Sequence, residues 1–321
     1  MRNAWLFVLM LFGASLCLGA EVYPNRSVRL VVSSSPGNTT DFAARLVAQH
    51  VSERLGHPVI VDNRGGAAGI LGNDIVAKAA PDGYTLLQAT PTFTVLPAVL
   101  KSMPYDTGKD FTAVTMMVRI TNVLVVIPSL KVNTLKEFIA LAQANPGKFN
   151  YGAQEAGNVT HVWAELFKKA AKVDIRHVPF KGGGDVATAL LRGEVQMQFT
   201  TIPSFLAFVK SGQLRALAVA TDGKRSPILP DVPSFPEAGI SGMNTAYGWQ
   251  GWVGPAGMPK AIANKLHQEV VRVLAVPSVK DAFTTQAAEV VGSGPEEFSK
   301  FIREDLQVWV DVVKAAGIPR Q

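Results

Sequence analysis

The chain has 321 residues, 48% of them hydrophobic, with a net charge of +6 from 31 Lys and Arg against 25 Asp and Glu. There is no basic run, and aromatic residues do not interleave with basic ones, which excludes a nucleic-acid-binding surface. The mild positive charge suits an anionic small ligand and plain solubility equally.

Arg2, an apolar run from Trp5 to Leu18 and the small residues Gly19 and Ala20 follow the order of a secretory signal peptide over 1–20. The run falls short of the ~20 apolar residues that span a bilayer, with an uncleaved anchor as the alternative. Cys17 is the single cysteine, and Leu16 before it is too large for a lipidation site. Cleavage after Gly19 or Ala20 removes that cysteine, so the exported chain holds no disulfide and no thiolate-bound metal. About 300 residues remain, more than one core comfortably serves, so two domains are expected.

The mature chain alternates strands and helices. Val28–Val32 reads as a buried strand, Asp41 to Leu55 as a helix stopped by Gly56 and Pro58, and Val59–Val61 as a second strand. A helix over Gly69 to Ala80, a turn at Pro81-Asp82-Gly83 and a strand over Tyr84–Leu87 follow. A second unit opens near Asn122 with strands over Val123–Ile127, Phe149–Ala153, Ile175–Pro179, Val195–Phe199 and Leu214–Ala220. Helices over Thr134–Ala144, Thr160–Ala171, Asp185–Leu191 and Pro203–Ser211 separate them. Strict alternation predicts parallel sheets with helices on both faces, an α/β fold.

Ser226 to Pro236 holds four prolines and reads as a connector. After Gly248–Gly257 come two expected helices. The last opens at Gly294-Pro295 with Glu296 and Glu297, carries Phe298, Ile302, Leu306, Trp309 and Val313 at core spacing, and ends at Gly317.

Three strand-to-helix loops share a design: Ser33 to Thr40, Glu155 to Thr160, and Lys181 to Asp185. Each places unencumbered backbone amides at a helix start, where unpaired N–H groups and the helix dipole favour an anion. Any one of them is equally well a simple helix cap. Two loops in one half and one in the other favour a ligand cleft between domains.

Enzyme parts are not assembled by the sequence. There is no Gly-x-Ser-x-Gly elbow around Ser33, and His161 near a helix start reads as a structural hydrogen-bonding residue. His177 lies in a strand without a partner motif, and His50, His57 and His267 lack metal-ligand spacing. Gly66 to Gly69 is not a dinucleotide fingerprint, and Lys181 precedes its glycines. No catalytic residue, cofactor or metal is expected.

Several motifs carry a family resemblance: Tyr23-Pro24, Ser35-Pro36-Gly37 with Thr40-Asp41, Val61-Asp62-Asn63-Arg64, and Ala80-Pro81-Asp82-Gly83-Tyr84-Thr85-Leu86-Leu87. Asn145-Pro146-Gly147-Lys148, His177-Val178-Pro179-Phe180-Lys181-Gly182, Leu229-Pro230-Asp231-Val232-Pro233 with Glu237-Ala238-Gly239, and Gly254-Pro255-Ala256-Gly257 extend it. In that order the mature chain resembles the solute-binding proteins of tripartite tricarboxylate transporters, the Bug family. The resemblance implies a two-domain periplasmic-binding-protein-like fold of type II, with the ligand cleft between domains. Domain 1 would be 22–121 plus 247–321 and domain 2 would be 122–246.

The resemblance further implies a small carboxylate, an organic or aromatic acid, captured by domain closure between Ser34, Ser35, Gly37, Asn38 and Thr39 on one side and Gln154, Ala156, Gly157 and Asn158 on the other. The Thr90–Phe93 loop (Thr90, Thr92, Phe93), Gly183, Gly184, Thr200, Thr201 and Trp249 would line the rest. The implied partners are the permease subunits of a tripartite transporter, or a sensor kinase served by the same closure, with the protein a periplasmic monomer. Three departures bear on the ligand: Thr200 stands where Asp is frequent, Glu155 where Gly or Ser is usual, and Ser33-Ser34-Ser35 where Pro and Phe are common. A neutral Thr200 argues against an α-amino acid.

Overall fold

The computed structural model describes residues 23–154, 158–221, 223–243, 248–318 and 320. The expected signal peptide lies outside them. In chain order the first stretch gives β1 (Val28–Val32), α1 (Thr39–Leu55), β2 (Val59–Asn63), α2 (Ile70–Ala77), β3 (Thr85–Ala89), α3 (Pro91–Val99) and β4 (Phe111–Ile120). The second gives β5 (Asn122–Val126), α4 (Leu135–Ala144), β6 (Phe149–Gln154), α5 (Val159–Ala171), β7 (Ile175–Phe180), α6 (Gly183–Leu191), β8 (Met197–Thr201), α7 (Ile202–Lys210) and β9 (Arg215–Ala220). The third gives β10 (Gly248–Pro255), α8 (Lys260–Leu274), α9 (Pro277–Thr285), β11 (Ala288–Val290) and α10 (Pro295–Ala316).

Two sheets result, ordered β11-β4-β10-β3-β1-β2 and β7-β6-β8-β5-β9. β1 is parallel to β2 and β3, and β6 is parallel to β7 and β8. The expectation of purely parallel sheets is corrected at β10, antiparallel to β3 and β4, and at β5, antiparallel to β8 and β9. The chain path explains this. β5 is the first strand after the chain leaves the first sheet at Thr121, and β10 is the first after it returns. Each enters its new sheet from the end that the other strands exit, and so runs against them. With β11 set aside, β2-β1-β3-β10-β4 and β7-β6-β8-β5-β9 are one plan drawn twice.

That plan fixes where a site belongs. The carboxyl ends of β1, β2, β3 and β4 share the edge from which the chain crosses, and those of β6, β7, β8 and β9 share the edge it crosses to. The loops that open α1, α3, α5, α6 and α7 therefore lie along the two sheet ends joined by the crossings.

Helix ends follow local chemistry. α1 starts at Asn38 and stops at Gly56, whose φ of 70° lies in the left-handed region that glycine occupies without strain. α10 starts with Pro295 in its first turn, beside Glu296 and Glu297, and stops at Gly317. Apolar burial holds the layers, at roughly 1.5–3 kcal/mol for each large side chain fully removed from water. Val28, Leu30 and Val32 face the side covered by α1 and α8, while Val31 packs with Val76, Leu87 and Phe298. The two sheets are joined by a shared cluster. Val95, Ala98 and Val99 of α3 and Trp309 and Val313 of α10 pack with Leu124, Tyr151, Trp163 and Phe167.

Three expectations change. The Thr90–Phe93 stretch is not a loop but the cap and first turn of α3. Three helices, not two, follow residue 257, because the segment before Gly294 divides at Ala275 and Val276 into α8 and α9. The strand expected at Val195–Phe199 is β8, two residues later, where Met197–Thr201 pairs with β5.

Candidate functional site

The first loop is built around one side chain. Asn38 Oδ1 accepts the Thr40 and Asp41 amides, both at 2.9 Å, while Asn38 Nδ2 donates to Ser34 Oγ at 2.9 Å. Asp41 Oδ2 in turn accepts the Gly37 amide at 2.9 Å, and Arg45 and Asn63 hold the same carboxylate at 3.0 and 2.9 Å. Burial pushes the Asp41 carboxyl up, but the hydrogen bonds from Arg45, Gly37 and Asn63 outweigh it and keep the group below the usual carboxylate range.

The second loop repeats the device in the other sheet. Asn158 Oδ1 accepts the Thr160 amide and hydroxyl, each at 3.0 Å, and Asn158 Nδ2 donates to Gln154 Oε1 at 2.7 Å. Ser34 and Asn38 thus correspond to Gln154 and Asn158: a side-chain oxygen at position i takes the amide of a helix-capping Asn at i+4. The Thr39 and Val159 amides, first in their helices, have no partner among the described residues. Asn158 also reaches across, donating to Thr92 Oγ1 at 3.5 Å in the first turn of α3.

The remaining expected residues fall into four groups. Gly182 opens α6 without a side-chain cap, and a Cβ at Gly183 or Gly184 would meet open space. Thr200 is buried in β8 opposite Val123, and the Thr201 hydroxyl lies 2.9 Å from Ser204 Oγ at the start of α7. Ser35 and Gly37 are exposed, and Ser34, Thr39 and Thr90 half-buried. Ala156 and Gly157, with Glu155, lie outside the described residues.

Two residues are corrected. Phe93 is 2% exposed with its ring edge-on to Phe111 at 4.8 Å, and Trp249 is 2% exposed and edge-on to Phe298 and Phe301, each at 5.6 Å. Both are core side chains of the first sheet. Their positions explain this, since Phe93 lies on the face of α3 turned to the sheet and Trp249 on the face of β10 under α10.

Positioning residues missed by sequence reasoning lie in the turn after β2. Gly66, Ala67, Ala68 and Gly69 carry consecutive φ values of 117°, 48°, 53° and 94°. For the two alanines this is a sparsely populated conformation, a cost carried where the surroundings over-determine it. The turn lies against the first loop. A Cβ would stand 3.3 Å from Ser34 C at Gly65, 3.2 Å from Ser33 O at Gly69 and 2.8 Å from Ser33 Cβ at Gly72. The glycine spacing in Gly65-Gly66-Ala67-Ala68-Gly69-Ile70-Leu71-Gly72 was the available signal.

His161 and His177 also meet, with ring centroids 4.4 Å apart and Tyr151 stacked on His177 at 5.1 Å. Tyr151 OH donates to Glu165 Oε1 at 2.5 Å, and Lys168 Nζ donates to the same oxygen at 2.7 Å. Burial lowers the His161 pKa, and burial together with the neighbouring His161 pushes His177 down to about 4, so both rings are neutral at pH 7. Their neighbours are the Tyr151 phenol and the Glu165–Lys168 ion pair, with no Ser or Cys among them. No group of three or more His, Cys, Asp and Glu suited to a metal occurs among the described residues.

A family model described as tripartite tricarboxylate transporter family receptor matches residues 43–318. The chain is 34% identical to protein BugT of Bordetella pertussis over 307 residues, which cover 95% of this chain and 94% of that one. A Rhodopseudomonas palustris protein solved with adipate matches with a TM-score of 0.87 at 34% identity, covering 92% of this chain and 99% of that one. MatC of Rhodopseudomonas palustris, solved with bound malate, matches with a TM-score of 0.84 at 30% identity, covering 91% and 100%. The doubled sheet plan is that of these binding proteins, and the chain belongs to the tripartite tricarboxylate transporter receptor family, made of solute-binding proteins of the Bug type and not of enzymes.

Proposed function

We propose that the protein is exported through its N-terminal signal peptide and captures a small carboxylate in the periplasm for the permease subunits of a tripartite transporter. The two sheets are the cores of two lobes, 22–121 plus 247–321 and 122–246, which close on the ligand. The observation that carries this reading is the matched pair of capped loops, Ser34 to Asn38 and Gln154 to Asn158, one from each sheet. Each presents a helix N-terminus with a first amide free to meet an anion. A carboxylate shared between Thr39 and Val159 gains from both helices only when the lobes are together, which is the differential contact that closure requires. The adipate and malate of the solved relatives support a carboxylate, and the neutral Thr200 supports one without an ammonium group.

Thermal melting of residues 21–321 with malate, adipate, benzoate, aspartate and the corresponding amides tests it. A ligand held only by the native state raises the melting temperature by about RT ln(1+[L]/Kd) in free-energy terms. A rise with one carboxylate class, and none with its amide, is the expected outcome. A rise with amides or cations alone sinks the carboxylate assignment.

A further inference from the structure

Two glutamines lie at the centre of the first sheet. Gln88 on β3 is 0% exposed and Gln250 on β10 is 2% exposed, beside the apolar cluster that includes Leu86 and Trp252. They form a continuous chain of hydrogen bonds. Trp252 Nε1 donates to Gln88 Oε1 at 2.7 Å, Gln88 Nε2 donates to Gln250 Oε1 at 2.8 Å, and Gln250 Nε2 donates to the Thr39 carbonyl at 3.4 Å.

The direction of this chain is fixed by its ends. An indole N–H only donates and a backbone carbonyl only accepts. Gln88 must therefore turn its oxygen to Trp252 and its nitrogen to Gln250, which leaves the Gln250 nitrogen for Thr39. Neither amide can flip without leaving two donors or two acceptors facing each other inside the core. An apolar pair of similar volume would fill the same space but would leave the buried Trp252 indole N–H without an acceptor. What the glutamines add is a directional link.

That link joins two parts of the binding machinery. Thr39 is the first residue of α1, next to the capping Asn38, and its amide is the one assigned above to a ligand carboxylate. Gln250 lies two residues past Gly248, the first residue of the strand on which the chain returns from the second sheet. Gly248 pairs with Ile120, the last residue of the outgoing strand, and a Cβ on it would stand 3.3 Å from Ile120. The register of β10 on β4 also shifts between Gln250 and Gly251, a bulge of the kind that re-aims a side chain. The 3.4 Å contact is the longest and weakest of the three.

We propose that Gln250 is a positioning residue that ties the first ligand loop to the crossover strand through Thr39, with Gln88 orienting it. The link holds the α1 amides in the geometry that meets the ligand, so its role rests on the carboxylate-binding reading, while its effect on the loop does not.

Amide hydrogen exchange on the ligand-free chain tests the link directly. In Gln250→Leu the segment 33–43 should exchange about 5-fold faster, as for the loss of one hydrogen bond, with 158–166 unchanged. Equal rates at 33–43, or the same acceleration in both segments, overturns the proposal. Should that variant not fold, Gln88→Met with Gln250→Met keeps an apolar pair in place. It should melt below the wild type, because the Trp252 indole loses its acceptor, and still loosen 33–43 with 158–166 unchanged; full protection of 33–43 overturns the proposal. Malate and adipate affinities should drop about 10-fold in both variants, and unchanged affinity beside a loosened loop also overturns it. If the wild type binds none of malate, adipate, benzoate and aspartate while the exchange difference persists, the carboxylate reading fails and the link stands.

Discussion

Asn158 and Thr92 belong to different sheets, and the side-chain amide of the first donates to the hydroxyl of the second at 3.5 Å. Both are buried, so this contact closes the space between the start of α5 and the start of α3. Asn158 therefore has two separable duties, capping α5 with its oxygen and bridging to Gln154 and Thr92 with its nitrogen.

The duties come apart in two variants. Asn158→Asp keeps a strong capping oxygen but removes the donor and sets a negative charge at the anion site. It should unfold near the wild-type midpoint and lose carboxylate binding. Asn158→Ala loses the cap as well and should cost about 1 kcal/mol of stability. Urea unfolding and calorimetric titration, run on both, separate the two effects. Carboxylate binding retained by Asn158→Asp would remove the α5 terminus from the site.

Gly72 supports the first loop from beneath. A Cβ there would stand 2.8 Å from the Arg64 carbonyl oxygen and 2.8 Å from Ser33 Cβ, neither of which is the end of a flexible side chain. Gly72→Ala must move Ser33, and with it the segment leading to Ser34 and Asn38. Overpacking of this kind costs about 1–3 kcal/mol, and the displacement should weaken ligand binding beyond that loss. Melting curves with and without ligand check this. A variant destabilised but binding normally would show that the loop tolerates the shift.

These positions show what the sequence made legible. The capped loops were readable because Asn38 and Asn158 stand between a strand-like run and a helix-like run, and a cap is a local signal. α3 was not, because Pro91-Thr92-Phe93-Thr94-Val95-Leu96-Pro97-Ala98-Val99 has an internal proline and almost no polar face, so it lacks helical periodicity. Its burial between the sheet and α10 supplies the stability that propensity does not. Phe93 and Trp249 read as cleft residues in the sequence because an aromatic beside a ligand loop and one in the core look alike in one dimension. The pairing of His161 with His177 depends on β7 lying beside β6, a register that strand order alone decides.

Asp305 on α10 is a carboxylate in an apolar seam, accepting a hydrogen bond from Thr94 Oγ1 at 2.6 Å. Burial pushes its pKa up, against the favourable Thr94 hydroxyl and the Trp309 and Trp249 indoles. A folded pKa above the unfolded one means that the charged form penalises the native state at neutral pH. Asp305→Asn keeps an acceptor for Thr94 and removes the charge, so its urea midpoint at pH 7 should exceed that of the wild type. The advantage should fade as pH falls and the wild-type carboxyl takes up its proton. A lower midpoint at pH 7 would mean that Thr94 and the indoles depend on the charge.

The histidine pair carries a pH dependence of the opposite sign. Both rings have native pKa values below the free value of 6.5, with His177 near 4. Between those limits the unfolded chain binds protons that the two native rings refuse, so the pair's contribution to stability is full above about 6.5 and declines as pH falls toward about 4, with His267 acting in the same sense and Asp305 in the opposite one. Asp41 and Asp62, held low by hydrogen bonds that include their arginine partners, add their own losses from about pH 5 downward, as the unfolded carboxyls begin to protonate. The groups facing the pair are Tyr151 on β6 and Glu165 and Lys168 on α5, and the ion pair between the last two leaves little net charge to stabilise an imidazolium. His177→Phe keeps a ring against Tyr151 and removes one titration. It should show a flatter decline from pH 6.5 to 4 than the wild type. Asp62→Asn, outside the cluster, should leave the slope between pH 6.5 and about 5 unchanged. Parallel wild-type and His177→Phe curves through the window would show that the acid sensitivity arises elsewhere.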